Sequence, residues 1–202
     1  MDQWRFCESC KYSLVWMFVT ITFVLIVSSS AVVATQTSDG FSYPVGPRVP
    51  PRIPYSVTEE RDGDGWYNAQ DFGDFNSKLA QPGLHPGEDW NSESVACGSP
   101  GACDVGAPVY AVANGEVVGS KPVSSSKGEP VGYVLVLRHI LPGGQNIYSV
   151  YLHINVVGGL HGEIRRDQQI GTIADTRPTF SPYLHFELRS EAVNLNNLYE
   201  ND

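Results

Sequence analysis

The chain has 202 residues, a formal net charge of −9 and a sequence pI of about 4.9. This acidic balance, with no Lys/Arg cluster, argues against a nucleic-acid partner, which would require a basic surface. About 165 residues remain after the N-terminal region, enough for one domain with its own core. The 20 glycines and 14 prolines predict a turn-rich β protein, and we expect few or no long helices.

The N-terminal region contains an uncharged stretch at residues 12–38, with an almost unbroken apolar run at 14–27. Residues 32–34 are an acceptable small-residue cleavage site for a signal peptide. The stretch is also long enough for a membrane-spanning helix of about 20 residues. We therefore predict that residues 1–38 are either a signal peptide or an N-terminal anchor, with membrane contact only through residues 12–34. In both cases the folded part is extracytoplasmic.

The four cysteines divide between two regions of the chain. Cys7 and Cys10 precede the apolar run, and with no second pair they make a poor zinc site. Cys97 and Cys103 enclose a short loop in the exported part, where an oxidising compartment favours a disulfide. Such a loop would contribute roughly 2 kcal/mol in the entropic model. Metal binding by this pair is the alternative.

The region after the apolar run is rich in proline. Residues 39–58 predict an extended polyproline-like strap or an irregular first strand at the edge of the domain. The Asp-Gly-Asp-Gly sequence at residues 62–65 lacks the third acidic position and the closing glutamate of a calcium loop, so it predicts a hairpin turn. Residues 66–75 are rich in aromatic side chains and predict a strand and a turn. The folded domain is assigned to residues 59–202.

From residue 106 the pattern is β. Asn114-Gly115 is a strong hairpin signal, and a second hairpin is predicted around residues 142–144. In the last strand of the second hairpin Ser149, Tyr151 and His153 share one face. His139 and His161 are interpreted as ordinary surface histidines. The predicted strands are 108–113, 116–120, 133–139, 147–154 and 169–173.

The stretch at residues 181–188 has the side-chain period of a strand, which separates its residues into two faces. One face is apolar and is predicted to be buried, and the other presents a phenol, an imidazole and a carboxylate. The two sets are Leu184, Phe186 and Leu188, and Tyr183, His185 and Glu187.

A second polar segment begins at His85. Pro86 and Gly87 exclude a regular helix here, but the turn that they force can bring Asp89 back towards His85. Two histidines and an aspartate form a natural zinc set that leaves a fourth position for water. Zinc lowers the pKa of that water to about 7. Composition alone does not choose the ligands from five histidines and many acidic residues.

Several segments together resemble the lysostaphin/LytM-type zinc metallopeptidases. His85-Pro-Gly-Glu-Asp89-Trp resembles the H-x-x-x-D segment of that family, Tyr151-Leu-His153 resembles its Y-x-H segment, and Leu184-His185-Phe-Glu187 resembles its closing H-L-H-F-E strand. Residues 106–118 and 169–173 resemble its core strands. The resemblance covers about residues 66–190, and the segments follow in the family's order.

The resemblance implies zinc ligands at His85, Asp89 and His185. It implies a catalytic, non-ligand role for His153, as a base or as a stabiliser of the tetrahedral intermediate. It also implies a mostly antiparallel β core of the duplicated hybrid type, with a groove in which cell-wall peptide bridges are hydrolysed. We therefore predict an exported, monomeric zinc metallo-endopeptidase that acts on peptidoglycan or another extracellular peptide. Glu187 is interpreted as a partner that orients a ligand, and Tyr151 as a packing residue.

The chain departs from the family at Tyr183, where the closing strand usually has a catalytic histidine. A tyrosine can donate a hydrogen bond to an oxyanion, but its pKa near 10 makes it a poor base at neutral pH. Our hypothesis assigns the base to His153 and the oxyanion donor to Tyr183. The alternative is a zinc-binding module with little or no turnover that binds the cell wall or activates another hydrolase. A lipoyl or biotinyl carrier is rejected, because no lysine accompanies Asn114-Gly115.

Overall fold

The structure is a computed structural model that describes residues 36–46, 65–76, 83–92, 97–99 and 101–196. Residues 1–35 of the predicted signal peptide or anchor, with Cys7 and Cys10, lie outside the described residues. So do most of the predicted turn at 62–65 and the Pro-rich segment after residue 46. The domain boundaries at residues 38 and 58 therefore stay predictions. Within the described ranges, no helix has the length and apolar character needed to cross a membrane.

The described residues form eleven β-strands and no helix, which confirms the predicted β fold. The strands are β1 (Trp66–Gln70), β2 (Phe75–Asn76), β3 (Gly83–Leu84), β4 (Glu88–Ser92), β5 (Pro108–Tyr110), β6 (Gly115–Ser124), β7 (Pro130–Ile140), β8 (Asn146–Val156), β9 (Glu163–Ile164), β10 (Gln169–Ile173) and β11 (Leu184–Arg189).

Nine of these strands form one sheet in the order β1-β4-β11-β8-β7-β6-β9, and β10 pairs with both β8 and β5. β2 and β3 form a separate two-stranded sheet. Every strand pair is antiparallel. The predicted antiparallel core is thus confirmed, as are the second hairpin, formed by β7 and β8, and the strand at residues 169–173.

The centre of the sheet is buried on both faces. On β7, Leu135 and Leu137 pack in one core cluster and Val134 and Val136 pack in another. Because successive side chains of a strand point to opposite faces, this strand reads as a continuous apolar run. Both faces of the sheet therefore need a cover, and the C-terminal segment supplies part of it through Leu195.

Part of the segment 36–46 packs into the domain core. Ser42 donates its backbone N–H to the carbonyl of Val112, and Val45 is fully buried in the first core cluster. The ring of Tyr43 packs edge-on against Trp90, with ring centroids 5.7 Å apart. The first part of the Pro-rich segment is therefore packed against the strand that carries Asp89.

The hairpin predicted around Asn114-Gly115 is wrong. β5 pairs with β10, whereas β6 pairs with β7 and β9. The carbonyl of Asn114 accepts hydrogen bonds from His139 Nδ1 and Ser38 Oγ. A Cβ on Gly115 would lie 2.3 Å from the carbonyl oxygen of Arg138. The Asn-Gly pair therefore connects two strands that pair with different neighbours. Tertiary contacts outweigh the local preference for a hairpin turn here.

Candidate metal centre

The pairing of β4 with β11 brings two of the predicted ligands together. Asp89 lies opposite His185 in the antiparallel ladder, and residues paired in this way have their side chains on the same face. His85 immediately precedes the turn at Pro86 and Gly87, and its Nε2 lies 3.2 Å from Asp89 Oδ1. The turn therefore brings Asp89 back to His85, as expected from the sequence.

The three side chains are buried, and their facing atoms form a compact triangle. His185 Nδ1 lies 3.1 Å from His85 Nε2 and 2.8 Å from Asp89 Oδ1. Ligand atoms bound tetrahedrally to zinc at 2.0–2.1 Å lie about 3.3 Å from one another. The triangle therefore fits a cation of this size with slight expansion. Among the described residues, this is the one group of three or more His, Cys, Asp or Glu side chains whose ligand atoms lie close enough together to bind a metal ion.

Hydrogen bonds on the far side of each imidazole fix which nitrogen faces the centre. His85 Nδ1 donates to the carbonyl of Asp71 at 3.2 Å, and His185 Nε2 donates to Glu187 Oε1 at 2.9 Å. The opposite nitrogens are therefore the ones that present lone pairs. Together with the carboxylate of Asp89, three acceptor atoms face one another, and this arrangement needs a cation or a proton between them.

The pKa values of the centre reflect the close contact between its histidines and carboxylates. Burial lowers the pKa of His185, but its hydrogen bonds to Asp89 and Glu187 raise it, to about 9. Burial raises the pKa of Asp89, but hydrogen bonds from His185 and His85 outweigh it and leave the pKa lowered. The surroundings of His185 thus favour positive charge at this position. A metal ion would bind here in place of a proton, because metal ligands must be deprotonated to bind.

Glu187 links His185 to the guanidinium group of Arg189. Its carboxylate is buried and accepts hydrogen bonds from His185 Nε2 and from Arg189 Nε. The three residues alternate along β11 and so share a face, a signal that could have found Arg189 from the sequence. A Cβ on Gly87 would lie 2.7 Å from Glu187 Cγ and 2.3 Å from the carbonyl oxygen of Phe186. Glycine is therefore required where the chain covers this carboxylate.

His153 lies in a β-bulge of β8. Its φ is +63°, and the pairing of β8 with β7 changes register close to it. Ile154, and not His153, follows Tyr151 in the first core cluster. The predicted common face of Ser149, Tyr151 and His153 is therefore wrong at His153, because the extra residue of a bulge re-aims the side chain.

The imidazole of His153 is held between a carbonyl and two aromatic rings. Nδ1 donates to the carbonyl of Val131 at 3.0 Å, so Nε2 carries the lone pair. Burial lowers the pKa of His153 to about 4, and the ring is neutral at pH 7. Its centroid lies 4.8 Å from that of Phe180 and 5.1 Å from that of Tyr183. No sequence pattern pointed to Phe180, because it precedes the strand in an irregular segment.

His139 was predicted to be a surface residue, and this is wrong: it is fully buried. Its Nδ1 donates to the carbonyl of Asn114 at 2.8 Å, and its Nε2 lies 2.7 Å from Ser149 Oγ. The hydroxyls of Ser149 and Tyr151 are hydrogen-bonded at 3.2 Å, and Tyr151 also accepts the N–H of Val112 at 3.0 Å. We call His139, Ser149 and Tyr151 the His139 network.

The remaining predictions have mixed outcomes. His161 is exposed, as expected. Tyr151 is buried and packs against the ring of Phe186, which agrees with a packing role. Leu188 was expected in the core but is 54% exposed, because the end of β11 extends past the core. Cys97 and Cys103 form the predicted disulfide, so their alternative role as metal ligands is excluded in this state.

The antiparallel sheet and the buried two-histidine, one-aspartate set are the features of a metallopeptidase-type protein. The model of peptidase family M23 matches residues 96–197, which is 102 of the 202 residues. The chain belongs to peptidase family M23. The match includes His153, Tyr183 and His185, whereas His85 and Asp89 precede it.

Several solved structures are similar to part of the chain. The solution structure of lysostaphin is 21% identical with a TM-score of 0.45, covering 65% of this chain and 46% of that one. A zinc-containing peptidase from Vibrio cholerae is 21% identical with a TM-score of 0.44, covering 78% and 41%. The SpoIIIAH–SpoIIQ complex is 18% identical with a TM-score of 0.46, covering 65% and 90%.

This chain thus spans less than half the length of the lysostaphin and Vibrio cholerae chains that it matches. No curated protein matches the chain.

Proposed function

We propose that the chain is an exported zinc metallo-endopeptidase that hydrolyses peptide bonds of peptidoglycan. The observation that carries this proposal is the convergence of three buried acceptor atoms close to a neutral, buried histidine. His85, Asp89 and His185 would hold the ion, and their nitrogen and oxygen donors suit zinc. Bound zinc would act as a Lewis acid and lower the pKa of a water molecule to about 7.

In this proposal His153 handles the proton of the attacking water. Its Nδ1 proton is engaged by the carbonyl of Val131, which directs the lone pair of Nε2 away from that contact. The neutral ring can therefore orient a water molecule and accept its proton at Nε2. Packing against Phe180 and Tyr183 restricts the ring, so little rotamer freedom is lost during the reaction.

Tyr183 is assigned to the developing oxyanion. Its ring lies against that of His153, and a phenol hydroxyl is a hydrogen-bond donor. Its hydroxyl can therefore donate a hydrogen bond to the carbonyl oxygen as negative charge develops there. Tyrosine thus supplies a donor where the family usually has a histidine, and proton transfer is left to His153.

Export and substrate rest on the sequence. The uncharged stretch at residues 12–38 provides a signal peptide or an anchor, and the Cys97–Cys103 disulfide suits an oxidising compartment. Peptidoglycan is the substrate class implied by the resemblance to LytM-type peptidases. We propose that the protein acts as a monomer on extracytoplasmic peptides.

Tyr183 also favours a second candidate function. A zinc-binding module that has lost turnover could bind the cell wall or activate another hydrolase. The three retained metal ligands favour the enzyme, because a module without turnover has no need of a water-activating ion. The two candidates share the metal centre and differ in whether peptide bonds are cut.

The experiment that separates them is digestion of purified peptidoglycan by the zinc-loaded full chain, with new amino groups detected by mass spectrometry. A His153→Ala sample with verified zinc content serves as the matched control. New termini that depend on His153 would establish the endopeptidase and identify the bond. Absence of new termini with zinc in place would favour the binding module.

A further inference from the structure

We propose that Asn91 and Asp104, together with the loop closed by the Cys97–Cys103 disulfide, form a clamp that positions Tyr183 at the metal centre. The proposal rests on the role suggested above for Tyr183. We call Asn91, Asp104 and this disulfide loop the Tyr183 clamp. These groups take no part in the proposed reaction, and their function would be to position Tyr183.

Asn91 connects the strand of a metal ligand to the segment that precedes Tyr183. It lies two residues after Asp89 on β4, so both side chains are on one face of the strand. Its amide Nδ2 donates to the carbonyl oxygen of Pro182 at 3.2 Å and to Asp104 Oδ2 at 2.8 Å. Both protons of one amide nitrogen are therefore used in a bridge between three segments of the chain.

Asp104 fixes the orientation of that amide. It is almost fully buried, and its second carboxylate oxygen, Oδ1, accepts the backbone N–H of Ser92 at 3.0 Å. A buried carboxylate is stable only when hydrogen-bonded, so Asp104 holds both the end of β4 and the side chain of Asn91. The disulfide at Cys103 is adjacent in sequence and restricts the position of Asp104.

The disulfide loop also contacts Pro182 directly. Gly101 has a φ of +69°, and a Cβ there would lie 2.3 Å from the carbonyl oxygen and 2.9 Å from the nitrogen of Pro182. The backbone of the loop therefore packs on Pro182 at a distance that only glycine permits. Pro182 is held by Asn91 and by Gly101.

Fixing Pro182 fixes the start of Tyr183, the next residue. The Tyr183 ring lies 5.1 Å from His153 and 5.5 Å from Phe180, centroid to centroid. The same segment is secured further upstream, where Thr179 Oγ1 donates to Glu129 Oε2 at 2.6 Å. The segment between Thr179 and Tyr183 is therefore held at Thr179 by Glu129 and at Pro182 by the clamp. A displacement of a catalytic group by about 1 Å can lower the rate about 10²-fold.

A double-mutant cycle tests the clamp in the zinc-loaded full chain with peptidoglycan as substrate. Asn91→Ala should lower kcat about tenfold or more, with little change in KM and full zinc content. In a Tyr183→Phe background the same change should cost less than about twofold, because Asn91 would act through the hydroxyl that is already missing. An equal loss in both backgrounds, or no loss, would overturn the proposal.

A second measurement does not depend on turnover. The Tyr183 ring lies among aromatic rings, so the chemical shifts of its ring signals should differ from those of an exposed tyrosine. These signals are recorded on the full chain with labelled tyrosine. They are assigned by their absence from the spectrum of Tyr183→Phe. Both Asn91→Ala and Cys97→Ser/Cys103→Ser should move these signals. Glu191→Gln, an exposed change outside the clamp, should leave them in place.

The two measurements separate failure of the clamp from failure of the proposed reaction. If the wild-type chain cuts no peptidoglycan, the NMR comparison still decides the clamp. Signals that stay unchanged in Asn91→Ala and in the double cysteine variant would overturn it.

Discussion

The protein contains two buried clusters of polar side chains, and they differ in how their hydrogen bonds are satisfied. In the His139 network both ring nitrogens have partners, and the hydroxyls of Ser149 and Tyr151 are hydrogen-bonded to each other. In the metal centre the lone pairs of His85, Asp89 and His185 converge. Both clusters are buried, and both contain histidine. The complementarity of donors and acceptors therefore distinguishes a structural network from a binding site.

This difference predicts separate consequences. Changes in or beside the candidate metal centre should reduce metal binding or turnover, because its converging acceptor atoms could hold a cation. Changes in the His139 network should reduce stability, because each removes a partner from a saturated set.

Tyr183→Phe should lower kcat by about 10²–10³, which is the typical cost of losing one oxyanion donor. Zinc content should remain complete, because Tyr183 is outside the ligand set. Steady-state kinetics on peptidoglycan and metal analysis of the same sample check both points. Unchanged turnover would show that the hydroxyl has no catalytic role.

Glu187→Gln should weaken zinc binding about 10–100-fold, the typical effect of removing a partner that orients a metal-ligating histidine. The amide can still accept from His185, but it loses the charge paired with Arg189. Competition with a chelator measures the affinity. Glu191→Gln, at an exposed position, is the control, and equal affinities for the two variants would argue against the orienting role.

Ser149→Ala should reduce the free energy of unfolding by about 1–3 kcal/mol, because it leaves His139 Nε2 buried without its partner. Zinc affinity should not change. Urea denaturation and the chelator assay together measure both quantities. A loss of zinc affinity without a loss of stability would reverse the assignment of the two clusters.

The smallest effect concerns pH. Burial lowers the pKa of His139 from 6.5, and its hydrogen bond to the Asn114 carbonyl only partly opposes this. Below pH 6.5 His139 binds a proton in the unfolded chain more readily than in the folded chain. The free energy of unfolding therefore falls as the pH falls. His139→Gln should make this decline shallower, and His153 should account for a remaining part. Denaturation at several pH values tests this, and parallel curves for both proteins would contradict it.

Much of the fold followed from local pattern. The β7–β8 hairpin was predicted because two apolar segments flank the turn residues Pro142-Gly143-Gly144, and β10 was predicted as a short apolar strand. The pairing partner of β5 was not predictable from Asn114-Gly115, since contacts from His139 and Ser38 decide the path there. Burial of His139 could have been predicted, because it follows Leu135 and Leu137 on one face of β7.

The candidate site was chosen from the sequence by resemblance. Spacing alone did not select His85, Asp89 and His185, and their convergence depends on the pairing of β4 with β11. The bulge at His153 was not predictable, because nothing in the sequence marks a positive φ at a histidine.

The central claim is that the three converging acceptors bind a metal ion, and zinc titration of the full chain tests it most directly. We predict one zinc per chain for the wild type and for His161→Ala, an exposed histidine outside the centre. His185→Ala should lose the ion. Full zinc stoichiometry in His185→Ala, or no zinc in the wild type, would contradict the account.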